Sequence, residues 1–476
     1  MDDAGDFVVV WQSQGQDGAA FDYGIFASRF NSAGVAQATE FQVNSFTPLD
    51  QYQHAVASDA DGDFVVAWTS EDQDGSELGV FAQRFSSAGV RQGGEFQANL
   101  YSNSDQFTPA VARDADGDFV IAWREASRDG GGTSVFAQRF NSSGARLGGE
   151  FQVNSYTSSN QDEPAVAMDD DGDFVIAWNS FGQDGNLRGI FARRFNAAGV
   201  AQASEFRVNS YTSGDQLYPS VAIDGNGDFV VTWQSNGQDG GFEGVFARRF
   251  NAAGTAQGVE LQASVYTVSN QSDPVAAMDG DGDFVLAWHS NEQDGSSTGV
   301  FGRSWSSSGV PQAEFQVNTF TPIGQQYATA AMDADGDFVV AWHGNGQDGG
   351  LNGIFAQRFG TSAVLDIDGN GTVAPLTDGL LVLRFLFGFT GAPLVNGAVA
   401  PDCNRCGASA IGAYLAGLTV LDVDGNGGQP APLTDGLLVL RFLFGFTGAT
   451  LVNGATGQGC TRCDGPSVAA YLQPLV

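Results

Sequence analysis

Two short stretches near the C-terminus place oxygen-bearing side chains at alternate positions. In the first, Asp366, Asp368 and Asn370 are followed by Gly371, then by Thr372, which can offer its backbone carbonyl as a ligand, and Asp378 adds an acid at the start of an apolar run. In the second, Asp422, Asp424, Asn426, Gly427, Gly428 and Asp435 take the same places. Carboxylates and carbonyls at this spacing, with Gly where the chain must turn sharply, converge on a hard divalent cation, and Ca2+ is the expected cofactor. The competing reading is an Asp-Gly-rich loop that holds no metal.

Alternating acids also recur upstream. The sets are Asp59, Asp61, Asp63; Asp114, Asp116, Asp118; Asp169, Asp171, Asp173; Asp224, Asn226, Asp228; Asp279, Asp281, Asp283; and Asp333, Asp335, Asp337. The earliest copy keeps only Asp2 and Asp6 in register. Each set is either a second class of cation site or a hairpin turn in which Asp-Gly supplies positive φ and the remaining acids are solvated. A further Asp recurs in Gln-Asp-Gly, as at Asp17, Asp74 and Asp184, ahead of a stretch ending in Arg-Phe, as at Arg29, Arg84 and Arg194. These are expected to form Asp–Arg pairs.

Catalytic groupings are not visible. His54, His289 and His343 are the only histidines and do not share one repeat position. No pair of acids stands out from the repeat, so the chain is expected not to be an enzyme. The four cysteines form two Cys-x-x-Cys pairs, Cys403/Cys406 and Cys460/Cys463. Local disulfides fit an exported chain. A four-Cys zinc site and a redox pair are the alternatives, the first weakened by a long gap and the second by the lack of a βαβ setting.

The elements that must position these residues follow from internal repetition. Gly-Asp-Phe followed by an apolar run and Trp occurs seven times, from Phe7–Trp11 to Phe338–Trp342, at intervals of 54 to 57 residues. One unit, 151–205, shows strand-like stretches at 151–154, 164–168, 172–178 and 189–195, separated by turn residues. The stretch from Phe174 to Trp178 is apolar on both faces and needs a packed layer on each side. Four short strands repeated round a ring satisfy that need. The fold class expected is all-β, a seven-bladed β-propeller over 1–360. An α-helical calcium-loop domain follows over 361–476, with helices at 378–387 and 435–444 and shorter ones at 409–415 and 467–472.

The blade units resemble the long Asp/Trp-rich propeller repeats of secreted bacterial proteins, a resemblance of fold that implies no activity. The C-terminal loops have EF-hand ligand logic and resemble dockerin type I repeats, in which such a loop opens a single helix. Residues 374–392 and 431–449 are identical over 19 positions. The closing acid falls later than in an EF-hand, and the copies lie farther apart than in dockerins, which bears on cohesin binding more than on Ca2+.

Composition bounds the partners. The 476 residues carry 20 Lys+Arg, all of them Arg, against 55 Asp+Glu, for a net charge of −35. Such a surface repels phosphate, so nucleic acid is excluded. The longest apolar run, Leu380–Leu383, stops at Arg384, so no transmembrane helix is expected. Composition and cysteine usage suggest an extracellular or cell-surface protein, and the start of the sequence within a repeat suggests a piece of a longer exported product. The first blade is expected to lack its first strand and the seventh its last, unless 363–365 substitutes. Open strand edges invite pairing, so the partners expected are other copies in a homopolymer, or cell-surface or matrix components. The function expected is structural or adhesive. A glycan is the ligand in the alternative, lectin-like reading, and a glycan-cleaving enzyme is a weaker third.

Overall fold

The computed structural model describes residues 1–476 apart from 19, 20, 76, 351, 361–363, 371, 372, 401, 402, 404 and 476. The chain forms two compact units, Met1–Phe359 and Gly360–Val476. Among the described residues, no helix is long and apolar enough to cross a membrane.

The first unit is a seven-bladed β-propeller: seven antiparallel sheets, five of four strands and two of three. In the fourth blade the strands are Gln161–Met168, Phe174–Phe181, Arg188–Phe195 and Phe206–Arg207, in that spatial order. The Phe-Gln stretch that opens each sequence unit is the outer strand of the preceding blade, since Phe151 pairs with Ala137 and Gln152 with Phe136. The second strand runs past Trp178 through Asn179 and Ser180, which are fully buried despite being polar.

Two apolar faces hold each blade between its neighbours. Phe174, Ile176, Trp178, Phe191 and Phe195 pack on the small residues Ala112, Val120, Ala122 and Ala137 of the third blade. On the other face Val175, Ala177, Ile190 and Ala192 receive Phe229, Val231 and Trp233 of the fifth. Large residues on one face thus meet small ones on the next, the condition for dense packing. Each fully buried aromatic contributes roughly 4–6 kcal/mol of hydrophobic stabilisation.

A clasp recurs between blades. Arg29 lies against Gly89 of the next blade, Arg139 against Gly199 and Arg194 against Gly254, and Arg358 of the seventh blade lies against Gly34 of the first. The ring is therefore closed by the same device that joins its members. Among the described residues, the first and seventh blades have three strands each, Phe7–Gln14, Tyr23–Phe30, Phe41–Gln42 and Gln325–Met332, Phe338–Asn345, Asn352–Phe359. Residues 361–363 lie outside the described residues, and Leu365 donates its N–H to Leu475 within the second unit.

In the second unit two loop-and-helix repeats share one core of Leu, Val and Ile side chains. The wide turn Pro375–Gly379 leads into the helix Leu380–Leu386, and Pro432–Gly436 into Leu437–Leu443. The helices face each other through their entry glycines. A Cβ on Gly379 would come 2.9 Å from Leu440 Cδ1, and one on Gly436 would come 3.1 Å from Leu383 Cδ1. Further helices lie at Ala408–Gly417 and Gly465–Leu472, each following a cysteine pair.

Candidate functional site

The two C-terminal loops each gather three carboxylates: Asp366, Asp368 and Asp378 in one, Asp422, Asp424 and Asp435 in the other. Within each group one oxygen per residue lies within 4.8 Å of the others, which suits a single metal ion. All but Asp422 are buried.

The late acid is brought in by the wide turn. Pro375 cannot donate a backbone hydrogen, and the first turn closes from Gly379 N–H to the Ala374 carbonyl, one residue wider than an α-turn. This swings Asp378 back over its own loop. Its Oδ1 accepts from Ile367 N (2.6 Å) and Asp368 N (3.2 Å), and its Oδ2 from Ala374 N (2.8 Å) and Thr377 Oγ1 (2.9 Å). Asp435 repeats the arrangement, with Asp424 N on Oδ1 (3.1 Å) and Ala431 N on Oδ2 (2.9 Å). Asp366 Oδ1 accepts from Asn370 N, and Asp422 Oδ1 from Asn426 N. Asn426 Oδ1 accepts from Gly428 N at 2.8 Å. Gly371 and Thr372 lie outside the described residues.

One atom tests whether a cation fits. Asp368 Oδ2 accepts from Ala400 N at 2.7 Å, but its Oδ1 is buried and accepts no hydrogen bond. Burial, then the charges of Asp378 and Asp366, push this carboxyl above its ordinary range. Three buried acids around an unsatisfied oxygen fit a hard divalent ion and little else. The acidic groups can therefore hold a metal ion.

The local disulfides expected from the two Cys-x-x-Cys pairs are present, and what sequence reasoning missed is the arginine that each encloses, which braces the acidic loop. The cysteines form disulfides Cys403–Cys406 and Cys460–Cys463, with Cα atoms 5.4 and 5.5 Å apart. That excludes the zinc alternative. Each disulfide loop carries an arginine that reaches the backbone of the acidic loop. Arg405 Nη1 donates to the Ile367 carbonyl (2.8 Å) and the Asp366 carbonyl (3.2 Å), and its guanidinium covers Tyr414 at 3.7 Å. Arg462 Nε donates to the Val423 carbonyl (2.7 Å) and covers Tyr471 at 3.8 Å. The signal was an Arg at the same place in both Cys-x-x-Cys segments.

The blade acids are arranged differently. In the fourth blade Asp169 Oδ1 accepts from Asp173 N (2.9 Å), Asp173 Oδ1 accepts from Ala197 N (2.8 Å), and Asp171 is exposed. The same bonds recur from Asp59 to Asp63 and Ser87, from Asp114 to Asp118 and Ser142, and from Asp279 to Asp283 and Ser307. Asp333 caps Asp337 N in the same way, while Asp61, Asp116, Asp281 and Asp335 are exposed. Burial pushes Asp169 and Asp279 up to about 6 and Asp333 to about 7. Among the described residues, no blade turn gathers three carboxylates as the C-terminal loops do.

Among the described residues, no ion pair of the expected Asp–Arg kind is seen. Asp184 precedes its strand and Arg194 nearly ends it, which puts them roughly 20 Å apart. Asp74 and Asp129 instead accept from Gln97 and Gln152 of the outer strand, and Arg84 and Arg249 donate to the Ser142 and Ser307 carbonyls of the next blade. The histidines do group in part: His289 and His343 flank Tyr327 at ring distances of 6.1 and 6.2 Å. His54 is separate, and burial lowers it to about 4.

No family model and no characterised protein matches the sequence. Among solved structures, polysaccharide lyase Uly1 is similar at 12% identity, over 75% of this chain and 90% of that one, with a TM-score of 0.48. An α-L-arabinofuranosidase from Fusarium graminearum matches at 11% identity over 65% and 93%, TM-score 0.45. The β-propeller domain of the Trilobed protease from Pyrococcus furiosus matches at 8% over 75% and 92%, TM-score 0.43. The likeness is one of fold alone. The expectation that the chain is not an enzyme is withdrawn: proteins named as a lyase and an arabinofuranosidase share the propeller fold, and the fold by itself assigns no activity and excludes none.

Proposed function

We propose that the protein is an extracellular structural or adhesive element, stiffened by Ca2+, whose propeller joins other copies by strand addition. Bound Ca2+ would hold the dockerin-like C-terminal unit folded, with Asp366, Asp368, Asn370, Thr372 and Asp378 around one ion and Asp422, Asp424, Asn426, Gly428 and Asp435 around the other. The disulfides and the charge of −35 suit export to an oxidising, calcium-containing medium.

The observation that carries the assembly is the outer face of the seventh blade. Ile354 is 42% exposed, whereas its equivalents Ile25, Val80, Val135, Ile190, Val245 and Val300 are all at 0%. In those blades an outer strand covers the site, and in five of them its Asn accepts from the backbone: Ile25 N to Asn44, Val80 N to Asn99, Val135 N to Asn154, Ile190 N to Asn209 and Val300 N to Asn318. A strand from a second copy with the pattern Phe-Gln-Val-Asn would restore both the cover and the bond.

Sedimentation of the full chain tests this. Oligomers are expected in Ca2+, and a peptide copying residues 150–155 should dissociate them by occupying the edge. A monomer at every concentration in Ca2+ would reject the assembly.

A further inference from the structure

The first strands of blades two to seven lie closest to one another and so line the axis. Each breaks register after its second residue, as between Asp162 and Ala165. The third residue then takes a left-handed backbone: Gln53 (φ 51°), Thr108 (54°), Glu163 (57°), Tyr218 (51°), Asp273 (50°) and Tyr327 (53°). For non-glycine residues this conformation is uncommon and strained. The bulge sits at the end of each strand remote from the acidic turn. Its backbone repeats six times, but its side chains do not. A repeated residue serves the architecture; here the architecture is constant and the chemistry varies.

The variation collects chemistry on one side. Asn179 is fully buried, and its Nδ2 donates to Glu163 Oε2 at 2.5 Å, an oxygen that also accepts from Tyr218 N at 3.0 Å. Asn179 Oδ1 is buried and accepts no hydrogen bond. In the next blade Asp273 N donates to Gln234 Oε1 (3.1 Å), and Asp273 Oδ2 lies 3.7 Å from His289 Nδ1. The His289 ring stands edge-on to Tyr327, with His343 on the other side. Tyr218 and Tyr327 are 43% and 65% exposed. Burial lifts Glu163 to about 7, so this carboxyl can donate as well as accept near neutral pH, and burial also raises Asp273. The nearby cations already face carboxylates, Arg124 and Arg188 lying 2.8 and 4.0 Å from Asp162 and Arg188 also 3.9 Å from Asp215.

We propose that this end of the propeller axis binds a neutral glycan, with sugar rings stacked on Tyr218 and Tyr327 and hydroxyls shared among Asn179, Glu163 and Asp273. Exposed aromatic faces beside buried groups that both donate and accept suit a polyhydroxylated, uncharged ligand. The proposal is independent of assembly and of Ca2+.

The test is calorimetric titration of the full chain with neutral hexasaccharides of arabinose, xylose, glucose and galactose. At least one should bind. Tyr327→Ala and Glu163→Gln should each weaken it about tenfold or more, with Tyr218→Ala as a second aromatic variant, while Asp171→Asn on the opposite face should leave it unchanged. Melting curves matching the parent establish that the variants are folded. Absence of binding by all four sugars overturns the proposal. So does binding that survives substitution of both Tyr327 and Glu163.

Discussion

The acidic turns of the blades and the acidic loops of the C-terminal unit begin with nearly the same sequence, and they fold to different ends. Asp169-x-Asp171-x-Asp173 leads straight into a strand. Its first and third acids accept backbone hydrogens, and its middle acid faces solvent. Asp366-x-Asp368-x-Asn370 leads into a helix whose wide first turn returns Asp378 to the loop. Alternation of acids therefore does not define a cation site. A distant acid must come back over the loop, as Asp378 and Asp435 do.

Removal of the cation should separate the two regions most sharply. With excess chelator the C-terminal unit should lose about 3–4 kcal/mol per site, the stabilisation given by a ligand at 100 to 1,000 times its Kd. Scanning calorimetry should show its transition falling while that of the propeller stays in place. Asp378→Ala should reproduce half of this loss with Ca2+ present, and a C-terminal transition unmoved by chelator would erase the distinction. A smaller effect is expected from Asp173→Ala, which strips the acceptor from Ala197 N. It should destabilise the propeller by about 1–2 kcal/mol, with or without Ca2+, as read from urea midpoints. Dependence of that loss on Ca2+ would mean that the blade turns bind metal too.

The smallest effect is one of pH. Asp169, Asp279 and Asp333 hold protons more tightly in the folded propeller than the ordinary carboxyl value of about 3.8. The folded state therefore takes up protons first. Stability should rise as pH falls from 8 through 7 and 6 toward 5, and fall again as pH is raised. A propeller melting temperature that drops on acidification across this window would contradict the burial that lifts these groups.

Much of the fold was legible because its determinants are local and repeated. Phe174, Ile176 and Trp178 alternate on one face, and Asp-Gly marks each turn, so blade number and strand order follow from pattern. The buried polar strand ends Asn179 and Ser180 were not legible, since polar residues after a Trp read as a turn. The Asp184–Arg194 pairing failed because spacing along the chain says nothing about which end of a strand each occupies. Glu163 and Asp273 were hidden for a related reason. Their significance lies in a left-handed bulge and in neighbours from other blades, and neither leaves a motif.

The reciprocal contact of the two C-terminal helices has a further consequence. Gly379 packs on Leu440 as Gly436 packs on Leu383, within segments identical over 19 residues. Each half thus presents to its sister the surface that any other copy of the sister would present. An exchange between two molecules, each lending one half to the other, would preserve the interface atom for atom at the helices, with only the connecting segment rerouted. The unit is built as a pair of near-identical halves, so an exchange of halves would need no new contact between the helices.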